Sequence, residues 1–157
     1  MCSSDLGKVT CDPARYAKAR DLIRASGCDV VINMSTGGGA GQTTDEQRME
    51  PVDLAPEIAS FDCGSLNFGQ GVFVNSPAFL DELALRMRRH GVLPEIECFD
   101  ASHIEAGIKL WKKGLIEDPP FFDFVLGVEN ALSYSPQNMM MMLSKLPPEA
   151  KIGRAHV

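Results

Sequence analysis

The chain has 157 residues, a formal net charge of −6 at pH 7, and 45% hydrophobic against 23% charged residues. Those values lie near the soluble globular average and exclude collagen-like, coiled-coil and disordered chains. An acidic balance argues against a nucleic-acid partner, which needs a basic face, and the longest apolar runs fall short of the roughly 18 residues that would imply a membrane span.

Asp12 precedes a helical pattern, PARYAKARDLIRASG, that Gly27 stops. DVVINMS is a short continuous apolar run of the kind that forms strands buried on both faces. A glycine-rich loop follows, and Thr44 or Asp45 caps a short helix in TTDEQRMEPV. EIASFDC reads as a second strand. SPAFLDELALRMRRHG is a strongly amphipathic helix with Ser76 as cap, Pro77 in the first turn and Gly91 at the end. LPEIECF is a third strand, ASHIEAGIKLWKKG a helix ending in Gly114, FFDFVLGV a fourth strand and SPQNMMMMLSKLP a last helix. The consecutive methionines of that helix read as core.

Strand–helix alternation with short connections implies parallel strands and right-handed crossovers. An open doubly wound sheet and part of a (β/α)8 barrel both satisfy it, and a whole barrel takes about 250 residues. The polar residues favour the barrel. Asn33, Ser35 and Thr36, then Ser60 and Asp62, then Glu97 and Asp100, then Glu129 and Asn130 stand at the ends of successive strands, where barrel enzymes keep their sites. The expected fold class is α/β, a partial (β/α)8 TIM barrel of about four βα units. Such a half-barrel would have two open edges and an uncovered apolar interior face, so the chain is expected to be poorly soluble or to self-associate.

Ser35 to Thr43 could meet a phosphate, yet Gln42 stands where a Walker A lysine would be and the glycine spacing is one short. A dinucleotide fingerprint fails too, because position 42 is not glycine. Two readings of the loop stay open: bare amides and hydroxyls that meet an anion or carboxylate, or a tight turn. Glu97 closes an otherwise apolar strand, so it is paired, hydrogen-bonded or functional. A structural ion pair and catalysis are both open for it, and Glu95 shares its face. Cys98, His103 and Cys63 match no common zinc spacing. His90, at a helix end, reads as offsetting the helix dipole. The five cysteines form no CxxC pair, and the start lacks a signal-peptide pattern, so reduced thiols and a cytoplasmic location are expected.

The phrases VINMSTGGG, PEIASFDCGSLNFG, VFVNSP, LPEIECFDASHI and FFDFVLGV, in this order and spacing, resemble the β-keto acid cleavage enzymes, whose best-known member serves lysine fermentation. The resemblance covers nearly all of Gly7 to Lys151. It implies a zinc-dependent (β/α)8 barrel that converts a β-keto acid plus acetyl-CoA to acetoacetate plus a new acyl-CoA, the present chain supplying family strands three to six. Ser35, Gly38 and Ser60 fall on substrate-contact positions of the family, and Glu97 falls on its active-site glutamate. The family's zinc ligands, a His-x-His on the second strand and a glutamate near the eighth, have no counterpart in these residues, nor do the arginine and aspartate credited with acid–base work. The resemblance thus implies a homo-oligomeric parent enzyme and an inactive isolated chain. Met1 to Asp5 and Ile152 to Val157 can be encoded by one DNA adapter read in opposite directions, so residues 1–6 and 152–157 are expected to be adapter-like scars. The runner-up from a different class is a small stand-alone α/β domain that binds an anion and does no chemistry.

Overall fold

The computed structural model describes residues 9–156. Its helices start where a short polar side chain can take up an orphan backbone amide. Asp12 does so for α1 (Pro13–Ala25), accepting from the Ala14 amide at 2.9 Å. Thr44 and Gln47 form a reciprocal capping box on α2 (Asp45–Met49), which runs into a 3-10 turn over Glu50–Leu54. Ser76 caps α3 (Pro77–His90), Asp100 caps α4 (Ala101–Lys112) and Ser135 caps α5 (Pro136–Leu143). At the α3 terminus His90 Nε2 lies 3.3 Å from the Asp53 carboxylate.

Between these helices lie β1 (Asn33–Met34), β2 (Ile58–Asp62), β5 (Leu93–Cys98), β6 (Phe121–Val125) and β7 (Lys151–His156). They form one parallel sheet in the order β1-β2-β5-β6-β7, and the short strands β3 (Leu66–Phe68) and β4 (Gly71–Phe73) make a separate antiparallel hairpin. Each strand pairs with the strand of the next βα unit, as in part of a (β/α)8 barrel, and the α/β class expected from the sequence is the one observed. Among the described residues, no helix is long and apolar enough to cross a membrane.

One face of the sheet holds the core. Ala59, Phe61, Ile96, Cys98, Phe122 and Phe124 lie there fully buried under Leu83, Met87 and Ile104 of the helices. Gly107 lets α4 come close: a Cβ at that position would stand 2.9 Å from Ile96 Cγ2 and 3.1 Å from Phe122 Cε1. The methionine run is core only in part, since four consecutive helical residues point to every side. Met142 is buried and Met140 exposed.

The structure changes two expectations. The DVVINMS run is a strand only at Asn33–Met34, with Val30 and Val31 exposed, because it lies at the sheet's edge and pairs with β2 alone. The opposite face of the sheet is not uniformly apolar: Ile58, Leu93 and Phe121 occupy its lower half, whereas the strand ends carry carboxyl groups. Residues 152–156, set apart from the fold by the sequence reading, lie in β7, which pairs in parallel with β6 across a bulge. The proposed scar at residues 1–6 lies outside the described residues.

Candidate active site

Strand alternation sends Ser60 and Asp62 of β2, Glu95 and Glu97 of β5, and Asp123 of β6 to the face away from the helices. Register then aligns them. Ser60 pairs with Glu95, Asp62 with Glu97, and Glu97 with Asp123. Glu97 therefore has a carboxyl neighbour on each side, one strand spacing of about 4.8 Å away. Both neighbours are buried. The Asn33 side-chain amide donates to Glu95 and so ties β1 to the same row.

Burial and like charge both disfavour ionisation here. Burial raises the Asp62 carboxyl to about 6, with the nearby Arg48 guanidinium opposing the rise. Glu97 is pushed up to about 10, first by burial and then by Asp62, Glu95 and Asp123. At neutral pH the Asp62–Glu97 pair therefore holds a proton between its two carboxyls, with Glu97 the weaker acid. Such a carboxylic acid can donate a hydrogen bond or hand a proton to a substrate oxygen.

Above the row lies the glycine-rich loop. The half-buried Ser35 places Oγ 3.1 Å from the Gly37 amide, from which it accepts, and its carbonyl accepts from the Tyr16 hydroxyl at 2.9 Å. Gly38 has φ +64°, and a Cβ there would stand 2.2 Å from Thr43 Oγ1 and 2.9 Å from Cys11 Sγ. Only glycine fits such backbone. Ser60 is nearly closed to solvent: its Oγ accepts from the Thr36 amide at 2.9 Å, and Thr36 Oγ1 donates back to the Ser60 carbonyl at 2.9 Å. Ser35, Gly38 and Ser60 thus lie about the C-terminal ends of β1 and β2, and Glu97 stands at the same end of β5.

Other strand-end residues are occupied elsewhere. Asp100 caps α4, and the Asn130 side chain donates to the Gly69 carbonyl at 2.8 Å. His103 Nδ1 accepts from the Phe99 amide at 3.2 Å, and burial lowers its proton affinity. Burial pushes the Cys63 thiol up to about 12 and also raises Cys98, so both stay protonated. Among the described residues, no group of three or more His, Cys, Asp or Glu is arranged to hold a metal ion.

Sequence reasoning missed Asp123 and Arg48. The first had a readable signal, a lone acid in phase with Glu97 inside the aromatic run FFDFV. Arg48 had none, because its five-residue helix has Met49 as its single apolar residue and the groups that bury Arg48 come from distant parts of the chain. The guanidinium lies between the rings of Phe73 and Phe79, with Cζ 4.7 and 4.1 Å from their centroids.

The model of the beta-keto acid cleavage enzyme family matches residues 2–155. The chain belongs to this family. It is 40% identical over 147 residues to the 3-keto-5-aminohexanoate cleavage enzyme of Acetoanaerobium sticklandii, covering 93% of this chain and 54% of that protein. The 3-dehydrocarnitine:acetyl-CoA trimethylamine transferase of Rhizobium meliloti is 33% identical, over 86% of this chain and 53% of that protein. The chain spans about half the length of these relatives. A solved ternary complex of ObcA with a C4-CoA adduct and oxalate shares the fold, with a TM-score of 0.63 at 22% identity over 83% of this chain and 29% of that one. In this member of the cleavage-enzyme family, the acid row and the glycine loop both stand at the C-terminal ends of the parallel strands.

Proposed function

We propose that the chain is part of a zinc-dependent β-keto acid cleavage enzyme, a cytoplasmic homo-oligomer that converts a β-keto acid plus acetyl-CoA to acetoacetate plus an acyl-CoA. What carries the reading is the position of Glu97, a carboxyl of raised proton affinity between Asp62 and Asp123 at the strand ends. In this reading Glu97 donates to the substrate carbonyl and orients it. Ser35 and the amides around Gly38 hold the keto acid's carboxylate, and Ser60 keeps the β1 and β2 ends in place beneath it. The residues described here do not make a zinc site; the ion the family resemblance implies, which would polarise a carbonyl when bound, needs other ligands. The isolated 157-residue chain is accordingly inactive.

The acid row also bears on substrate class. Asp62 and the other carboxyls disfavour a substrate with a second anionic end and favour one with a cationic end. The amino group of 3-keto-5-aminohexanoate and the trimethylammonium group of 3-dehydrocarnitine, named for the relatives, have that chemistry.

The test is acetoacetate release by the complete open reading frame, assayed with acetyl-CoA and either an amino-bearing or a dicarboxylic β-keto acid. The expected result is turnover favouring the amino-bearing substrate and a loss of at least about 100-fold in Glu97→Gln. No acetoacetate from any β-keto acid would overturn the enzyme reading, and turnover by the 157-residue chain would overturn its inactivity.

A further inference from the structure

Arg48 is 4% exposed, and its side chain reaches groups from separate parts of the chain. Nε donates to the Thr36 carbonyl, at the root of the glycine loop, at 2.9 Å. Nη1 donates to the Val74 carbonyl at 2.9 Å, and Nη2 donates to Asn75 Oδ1, both just past the β3–β4 hairpin. Asn75 extends the connection, since its Nδ2 donates to the Gly64 carbonyl at 3.0 Å and its amide donates to Ser65 Oγ at 2.8 Å. The stem of Arg48 passes directly under the loop, with Cγ 3.0 Å from where a Cβ on Gly38 would stand. Phe73 and Phe79 grip the guanidinium from the hairpin and from α3.

A buried cation is costly unless its donors are used, and a guanidinium can use several in one plane. Surface ion pairing does not explain the arrangement. Its ion-pair contact is the exposed Asp45 at 3.7 Å and the buried Asp62 acts on it as a nearby charge, whereas the close bonds go to loop backbone and an amide. Its acceptors flank the C-terminal ends of β1 and β2, the two segments that carry Ser35, Gly38 and Ser60.

We propose that Arg48 is a positioning residue of the active site, a planar fork that holds the glycine loop and the hairpin base at a fixed separation so that Ser35 and Gly38 meet the substrate. The inference rests on the reading of those residues as substrate contacts. It requires the fork, not merely a positive charge: a lysine can fill the slot between Phe73 and Phe79 but cannot bond Thr36, Val74 and Asn75 together.

Hydrogen exchange on the 157-residue chain tests the positioning without any need for activity. In Arg48→Lys, the amides of Thr36, Gly37, Gln42 and Asn75 should exchange about tenfold faster, while those of Phe61, Ile96 and Phe122 keep their protection. Arg48→Met should show the same pattern more strongly; if it fails to fold, the lysine variant decides. In the complete enzyme, Arg48→Lys should raise KM for the keto acid about tenfold and leave kcat within about threefold. Exchange that rises evenly over the sheet, or not at all, would reduce Arg48 to a general stabiliser and overturn the proposal. So would faster loop exchange with an unchanged KM. An inactive wild-type enzyme would instead count against the proposed function, with the exchange result still standing.

Discussion

Glu97 is a weak acid because its surroundings offer nothing to stabilise its anion, with carboxyl groups on both sides and little water. Its folded-state affinity, raised from 4.5 to about 10, means that the folded chain holds this proton more tightly than the unfolded one. The resulting stabilisation is fully present below the unfolded value and is lost as pH rises towards 10. Asp62 acts in the same sense over the narrower range between 3.8 and about 6. Thermal melts should therefore fall in Tm from pH 5 to pH 9. Glu97→Gln, which mimics the protonated acid, should flatten that slope and raise Tm at pH 9 by about 2–4 °C, the effect of about 1 kcal/mol in a chain of this size. An unchanged slope in the variant would show that the proton resides elsewhere. Glu97 was legible in the sequence because a charge ending an apolar strand demands a reason. Asp123 was hidden by its aromatic neighbours. Ser60 was legible only as a polar residue at a strand end, because its cross-strand bond is to Thr36, 24 residues away.

Elements that announce themselves locally were read well. All five helices begin at residues with a capping side chain, and that signal is confined to a few consecutive letters. The β3–β4 hairpin was missed although Gly69-Gln70 supplies a two-residue turn, because its strands are three residues each, too short for alternation to show. Strand length was also misjudged for β1, where apolar letters continue past the point at which a partner exists. Helix-to-sheet distance is invisible in any pattern, yet Gly107 sets it for α4. Replacing it by alanine gains about 1 kcal/mol of helix propensity but forces Ile96 and Phe122 to move, an overpacking cost of about 1–3 kcal/mol. The net expectation for Gly107→Ala is a loss of about 1 kcal/mol, read as a Tm lower by about 2–4 °C. A higher Tm would show that α4 has slack against the sheet.

Over the whole molecule, the alternation of strands and helices made the fold class legible, whereas the register that lines Asp62, Glu97 and Asp123 up across the second sheet face was not. That face had been expected to be apolar, and its strand ends carry Asp62, Glu97 and Asp123 instead. Self-association of the chain therefore depends on the terminal strands of the described sheet, β1 and β7, more than on a greasy surface. Light scattering should report a mass above the 17.1 kDa monomer, rising with added salt as the net charge of −6 is screened. A sharp 17.1 kDa species at every salt concentration would contradict this. The pairing pattern has a separate consequence. Because each strand takes its register from the preceding unit and each helix carries its own cap, the geometry of a βα step is specified within about thirty to forty consecutive residues. A polypeptide organised in this way lends itself to split-protein complementation, in which a second chain supplying further steps docks along a terminal strand and extends the sheet without a covalent join.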